Sequence, residues 1–350
     1  MINELICSKV LVIGTDKDGK GGIATVIKQM SNIMMPFNYV CNHKFICGIK
    51  KIYIIVVAVL RTLYSLLLGG IKIVHIHSAS YHSFFVSSIF IMIGRMFSAK
   101  IILHMHGGKF FEFYMRNKRF VSYMCYKVDC LVGVSRHFTE QFEAYGLNKN
   151  VVLLHNPIII PEAQYLSNIG SREKKTVTFM GAIDYNKGIF DVLYLIIKDR
   201  DYFENKINLY IAGVGEHEKL KRIICTHGLG SFVHYLGWIG EQQKQDILSA
   251  TDIYIQPSRF ESLGISIIEA MSYGVPAIAS NAGGIPDIID NGINGLLFTS
   301  GDFEAFIIKL KLIIEDENMN RELGIRARDK ALSFSLRIFE TKLQEIYSVY

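Results

Sequence analysis

Short apolar runs rich in β-branched residues alternate with amphipathic helical patterns along the whole chain, and the alternation occurs in two series. In the first series, strand-like runs fall at Lys9–Ile13, Ile71–His77, Lys100–His104, Cys130–Val134 and Val151–Leu154. Helical patterns such as Ile23–Met34, Ser83–Phe97 and Arg136–Tyr145 separate them. Strands joined through helices pair in parallel, so the pattern predicts βαβ units. Asn156-Pro157 and Pro161 break the series, and the polar stretch Glu162–Lys175 reads as a linker. The second series runs through Thr176–Met180, Ile207–Ala212, Phe232–Leu236, Ile253–Gln256, Pro276–Ser280 and Gly295–Phe298. The length, 350 residues, suits two cores better than one. The expected architecture is α/β, with doubly wound parallel-sheet units over residues 1–163 and 172–330. An amphipathic helix over 331–350 has no strand after it and is expected to return to the N-terminal unit.

Charge divides the two halves. Residues 1–165 hold 18 Lys/Arg against 8 Asp/Glu, a balance of +10, and residues 166–350 hold 20 against 24, a balance of −4. No Asp or Glu occurs between Gly19 and Phe111, where ten Lys/Arg do. A basic half with apolar segments suits peripheral contact with an anionic membrane. No recognition motif for nucleic acid accompanies it, so nucleic acid is not an expected partner. The run Ile52–Ile71 carries Arg61 at its middle, a costly place for a charge in a membrane span. It is read as a buried or interfacial helix. Met1–Ser8 has no basic segment of the kind that opens a signal peptide. The six cysteines form no Cys-x-x-Cys pair and are expected as buried reduced thiols in a cytoplasmic protein.

Chemistry-bearing residues collect in the loops that follow strands, where open parallel sheets bind ligands. The first such loop is Gly14-Thr-Asp-Lys-Asp-Gly-Lys-Gly-Gly22. Its Gly19-x-Gly21-x-x-Ala24 resembles a dinucleotide fingerprint, but the acid needed about 20 residues on is missing. It is read as a glycine loop whose backbone N–H groups approach a phosphate or sugar. Asp16-Lys17-Asp18 is a possible metal pair, set too early in the chain for that use. In the second series, Gln256-Pro-Ser-Arg-Phe-Glu261 ends a strand, Ser262-Leu-Gly264 turns, and Ile265–Tyr273 reads as a helix. Free amides and the positive dipole end at that helix start suit a diphosphate. Glu261 and Glu269 flank it. Ile267, Ile268 and Ala270 around Glu269 make a lone carboxylate there expensive without a partner or ligand.

The run Phe260-Glu-Ser-Leu-Gly-Ile-Ser-Ile-Ile-Glu269-Ala-Met resembles the E-x7-E signature of the retaining glycosyltransferase family 4, which has the GT-B fold of two Rossmann-like domains facing a cleft. Further matches fall in order along the chain. They include Gly21-Gly22, His104-Met-His106-Gly-Gly, Gly133-Val-Ser135, His155-Asn-Pro157, Phe179-Met-Gly181 with Lys187-Gly188, Ala212-Gly-Val-Gly215, Leu236-Gly-Trp238 and Gly283-Gly-Ile-Pro-Asp287. Their wording is similar to members that build capsule, O-antigen and exopolysaccharide. The resemblance implies a metal-independent, retaining transfer from a nucleotide-sugar, expected to be a UDP-sugar. The acceptor it implies is a lipid-linked oligosaccharide at the inner face of the plasma membrane, and no cofactor beyond the nucleotide-sugar is implied. It also implies that Glu261 lies at the transferred sugar, that Glu269 holds the ribose, and that Lys187 neutralises the diphosphate. Gly181, Leu263 and Gly264 would sit near the donor, Gly21 and Gly22 would meet its phosphate, and His106 would face its sugar.

The family's usual arginine five residues before the lysine is Ala182 here, so Lys187 carries the charge alone unless Lys20, Lys109 or Arg259 substitutes. That departure leaves a catalytically weak nucleotide-sugar-binding protein as an alternative; a GT-B nucleotide-sugar 2-epimerase is the other. His104 and His106 are expected on opposite sides of their strand, with His106 toward the ligand. His75, His77 and His82 lie near in sequence, but without a carboxylate or thiol at ligand spacing no metal site is expected. Phe110–Tyr114 either clamps an acceptor or closes a helix.

Overall fold

The computed structural model describes residues 2–44, 48–162 and 173–350. The chain divides into two compact units. The first comprises Met1–Pro157 with Leu336–Tyr350, and the second comprises Ile158–Ser335. Most of the expected linker, and the expected boundaries at 163 and 172, lie outside the described residues.

The first unit is built on six strands: β1 Val10–Thr15, β2 Asn38–His43, β3 Ile73–Ser78, β4 Lys100–Met105, β5 Cys130–Gly133 and β6 Val151–Leu153. They form one parallel sheet in the order β2-β1-β3-β4-β5-β6. Strands β1, β3 and β4 are buried almost throughout because a doubly wound sheet is covered on both faces. β2 was not foreseen. It sits at the sheet edge, and its sequence Asn-Tyr-Val-Cys-Asn-His lacks the apolar run that marks the central strands.

The expected terminal helix over 331–350 is two elements. Ala331 ends within the helix Glu317–Leu332, a break follows at Ser333–Ser335, and a new helix runs Leu336–Ser348. Only the second belongs to the first unit. Its Phe339, Leu343, Ile346 and Tyr347 pack with Val10, Val12, Ile73, Ile102 and Val132 in a single core cluster.

The run around Ile52–Ile71 is the helix Ile49–Leu68, and it is not buried. It packs on β2 and on the helix His82–Met96 through a narrow seam that includes buried Ala58 and Thr62. Tyr53, Val56, Leu60, Tyr64 and Leu67 are exposed, as is Arg61. By length and apolarity it is sufficient to cross a membrane. Phe110 and Phe113 are fully buried and Tyr114 nearly so, which makes that cluster a closed helix face of the core. Among the described cysteines, all free, Cys7, Cys125 and Cys130 are buried as expected, Cys41 is half-buried and Cys225 is exposed. Cys47 lies outside the described residues.

The second unit repeats the design with β7 Lys175–Met180, β8 Ile207–Ala212, β9 Val233–Gly237, β10 Ile253–Gln256, β11 Ala277–Ser280 and β12 Gly295–Phe298. Its parallel order is β12-β11-β10-β7-β8-β9. The core joins Val177, Phe179, Leu209, Ile211, Ile253 and Ile255 of the strands to Leu193, Phe306 and Leu310 of the covering helices.

Candidate donor site

An open parallel sheet binds its ligand beyond the strand carboxyl ends, where the strand order reverses. In the second unit that point lies between β7 and β10. From β7 the sheet extends one way through β8 and β9, and the other way through β10, β11 and β12. The loops leaving β7 and β10 flank it, and these loops carry Gly181, Lys187 and Glu261.

Both loops are held from below by backbone. Gly181 N–H donates to the Ala212 carbonyl at 3.0 Å. A single 3-10 turn, Tyr185–Lys187, follows, and the Asp184 carboxylate caps it by accepting from the Lys187 N–H at 3.0 Å. Gly188 then has φ +70°, and a Cβ there would stand 2.1 Å from the Pro257 carbonyl oxygen. Only glycine lets the two loops meet this closely. Arg259 fastens them. Its N–H donates to the Asn186 carbonyl at 2.7 Å, and its guanidinium grips Asp191 with two hydrogen bonds of 2.7 and 3.0 Å. The same guanidinium donates to the Tyr185 carbonyl at 3.0 Å and lies 3.9 Å above the Tyr185 ring. Arg259 is therefore committed to structure and is no substitute for the arginine missing at Ala182, a position that is exposed.

The outcome is a contact the motif spacing alone did not supply: Lys187 Nζ lies 2.5 Å from Glu261 Oε2, with both side chains largely buried. Glu261 is seated from behind by Gly283-Gly284. Gly283 has φ +54°, a Cβ there would lie 1.9 Å from the Glu261 carbonyl oxygen, and the Gly284 N–H donates to that same oxygen at 3.1 Å. Leu263 is buried and Gly264 caps the helix Ile265–Ser272, whose first amides have no partner within the helix.

Glu269, on that helix between buried Ile268 and Ala270, has the partner its apolar setting demanded. Lys244, from the helix Glu241–Ala250, places Nζ 2.6 Å from Glu269 Oε1 and 3.0 Å from Glu241 Oε2. Burial pulls the Lys244 pKa down, but the charges and hydrogen bonds of Glu269 and Glu241 outweigh it and hold it above its ordinary value. Beneath the loops, Tyr254 donates to the Met180 carbonyl at 3.0 Å and lies 3.0 Å from Gln256 Oε1. Gln256 Nε2 in turn meets Ser258 Oγ at 2.8 Å. Burial raises the Tyr254 pKa, so the network keeps its proton at neutral pH.

The first unit reverses its order between β1 and β3. The glycine loop leaves β1 there, and Gly21 and Gly22 are exposed at the start of the helix Gly22–Ile33. Asp16 is already paired with Lys44 at 3.1 Å and accepts from the Asp18 N–H at 3.3 Å. His106 is not held out from the sheet. It is 8% exposed, and its Nε2 lies 2.9 Å from His77 Nδ1. The expectation that His104 and His106 point apart is also wrong. Residues two apart in a strand share a face, and their ring centroids are 4.2 Å apart.

Sequence reasoning thus located Lys187, Glu261, Leu263, Gly264 and Glu269 in one unit at one sheet edge. It missed Lys244, the Arg259–Asp191 latch and the seat made by Gly283-Gly284. The last was visible as a double-glycine motif, but Lys244 lies in a polar helix, Glu-Gln-Gln-Lys-Gln-Asp, that carries no local signal.

Residues 166–330 match the family described as glycosyl transferases group 1. An uncharacterized 41.2 kDa protein in the cps region of Klebsiella pneumoniae is 26% identical over 312 residues, which cover 81% of this chain and 84% of that protein. Among solved structures, sucrose-phosphate synthase from Thermosynechococcus elongatus superposes with a TM-score of 0.77 at 16% identity, covering 97% of this chain and 98% of that one. Anabaena HepE in complex with UDP and glucose gives 0.76 at 16% identity, covering 98% and 100%. The two six-stranded units share the GT-B fold with these neighbours. The family match lies across the unit that pairs Lys187 with Glu261, so it is residues 166–330 of this chain that match the group 1 glycosyl transferases.

Proposed function

We propose that this glycosyltransferase takes a sugar from a nucleotide-sugar, a UDP-sugar, and transfers it with retention of configuration to a lipid-linked glycan in surface polysaccharide assembly. The observation that carries the reading is the Lys187–Glu261 pair at the second unit's switch point, beside a helix start at Gly264. A diphosphate carries more charge than one carboxylate. It would draw Lys187 onto itself and free Glu261 to orient the transferred sugar, while the Gly264 helix start receives the phosphate oxygens. Glu269, held by Lys244 through one oxygen, keeps the other for ribose hydroxyls. In this reading the leaving phosphate takes the acceptor's proton and no divalent ion enters the step. The HepE complexes with UDP and the Klebsiella cps-region relative support the donor class and the polysaccharide context.

The test is a panel of UDP- and GDP-sugars, with release of nucleoside diphosphate followed with and without a chelator. Release from a UDP-sugar that is chelator-insensitive and collapses in Glu261→Ala is the expected result. Appearance of 2-epimerised free sugar would assign the epimerase alternative. Tight donor binding with no release under any acceptor would assign the binding protein, in line with the single diphosphate lysine left by Ala182.

The first unit is proposed to dock on the cytoplasmic face of an anionic bilayer through the helix Ile49–Leu68. Its exposed Tyr53, Val56, Leu60, Tyr64 and Leu67 form one stripe at helical spacing, and exposed Lys50, Lys51 and Arg61 lie on the same helix. The absence of any acid from Lys20 to Phe111 makes this a surface that anionic headgroups attract. Co-sedimentation with phosphatidylglycerol vesicles, lost on phosphatidylcholine vesicles and in Leu60→Glu/Tyr64→Glu, is expected. Equal sedimentation of the double variant would remove the helix from this role.

A further inference from the structure

Four imidazoles lie on one face of the first unit's sheet. His75 and His77 come from β3, His104 comes from β4 beside His77 in register, and His106 follows β4. Ring centroids are 4.5 Å apart for His75 and His77, 5.0 Å for His77 and His104, and 5.5 Å for His75 and His104. His75 and His104 have no exposed surface and His77 has 2%. A neutral imidazole has one donor and one lone pair, and a buried one normally satisfies both. Here His75 engages only Nδ1, with the Tyr347 hydroxyl at 2.7 Å, and His77 engages only Nδ1, with His106. The Nε2 atoms of both meet no hydrogen-bond partner, and of the two ring nitrogens of His104 at most one has a partner, the Leu154 backbone. Leaving so many nitrogens unsatisfied in one small volume is costly.

We propose that His75, His77 and His104 bind a divalent transition-metal ion, with Zn²⁺ the best fit. One nitrogen from each lies within 4.8 Å of the other two. A tetrahedral zinc with Zn–N of about 2.0–2.1 Å needs them about 3.4 Å apart, so the rings, with His75 now stacked 18–21° from parallel to the other two, must turn toward one point as the metal enters. Three histidines suffice as protein ligands, and imidazole suits zinc, copper and nickel. When Nδ1 of His75 donates to Tyr347 and Nδ1 of His77 donates to His106, each Nε2 is left as a lone pair facing the metal. That is the arrangement in which an outer partner fixes the tautomer of a ligand histidine. Burial holds all three rings neutral, the state a metal requires. The site belongs to the first unit alone. Its metal would add stability to the sheet and fix His106 through His77.

The test uses the full chain without a polyhistidine tag, stripped with a chelator and titrated with Co²⁺, then with Zn²⁺ in competition. One equivalent of Co²⁺ with an intense visible band, displaced by Zn²⁺, is expected, together with a Zn²⁺-dependent rise in Tm. His104→Asn and His75→Gln should abolish the band, and Tyr347→Phe, which keeps the ligands, should weaken binding about 10–100-fold. Wild-type chain that takes up no equivalent of either ion overturns the proposal without recourse to any variant. So does a folded His104→Asn chain that binds as tightly as wild type.

Discussion

The two units use one topology for opposite electrostatics. At its switch point the second unit places loops bearing Lys187 and Glu261, pairs Glu269 with Lys244, and locks Arg259 onto Asp191. The first unit places an exposed glycine loop at its own switch point, beside a sheet face carrying four buried neutral histidines. The fold supplies the place, and side-chain charge decides what the place can hold. A unit of matched opposite charges is suited to exchange one anion for another. A unit of uncharged imidazoles is suited to acid sensitivity, because it must gain protons on unfolding.

The largest expected effect breaks the units apart by pH. His75 and His106 are held down to about 3 by burial, and His77 and His104 are held well below 6.5 by burial and by the neighbouring histidines, His75 and His106 among them. In the unfolded chain these groups bind protons below about 6.5, and in the folded unit they do not. Stability is therefore fully present above pH 6.5 and falls as pH drops toward 3, by up to about 1.4 kcal/mol per pH unit per histidine. The single tryptophan, Trp238, lies in the second unit. An acid titration should lose far-UV circular dichroism before Trp238 fluorescence changes, and coincident transitions would contradict the contrast.

Next in size, Glu261→Ala should lower nucleoside diphosphate release by about 10²–10³-fold, the scale of losing a group aimed at developing charge. His82→Ala in the first unit should leave release near wild type. Gly283→Ala should come next. It forces a Cβ onto the Glu261 carbonyl at a φ of +54°, and a cost of about 2–4 kcal/mol by thermal unfolding is expected, with activity falling in step. Smallest is Lys244→Met. It leaves Glu269 without its cation and should raise KM for the donor about tenfold while kcat changes little. An unchanged KM would detach Glu269 from the donor.

Much of this was legible in the chain. The strand–helix alternation yielded eleven of the twelve strands, because central strands of a covered sheet are apolar on both faces and announce themselves. The edge strand Asn38–His43 did not, since it needs no such run. The loop motifs pointed to Lys187 and Glu261, which the structure brings together at the ends of β7 and β10, because strand-to-helix loops are short and fix their residues locally. What stayed hidden depends on register between distant segments. Lys244 meets Glu269 from another helix, and Arg259 spends its charge on Asp191, 68 residues earlier. The histidines were visible as two His-x-His pairs, but only the pairing of His77 with His104 across β3 and β4 makes them one group.

The helix Leu336–Ser348 has a consequence for synthesis. Phe339, Leu343, Ile346 and Tyr347 complete the first unit's core, yet the ribosome makes them after every residue of the second unit. The amino-terminal sheet must therefore wait, with part of one face covered only by its own first helices, while a whole later unit is translated and free to fold. The order in which the two units mature is the reverse of the order in which they begin, and the interval is one in which a chaperone has an apolar sheet face to cover.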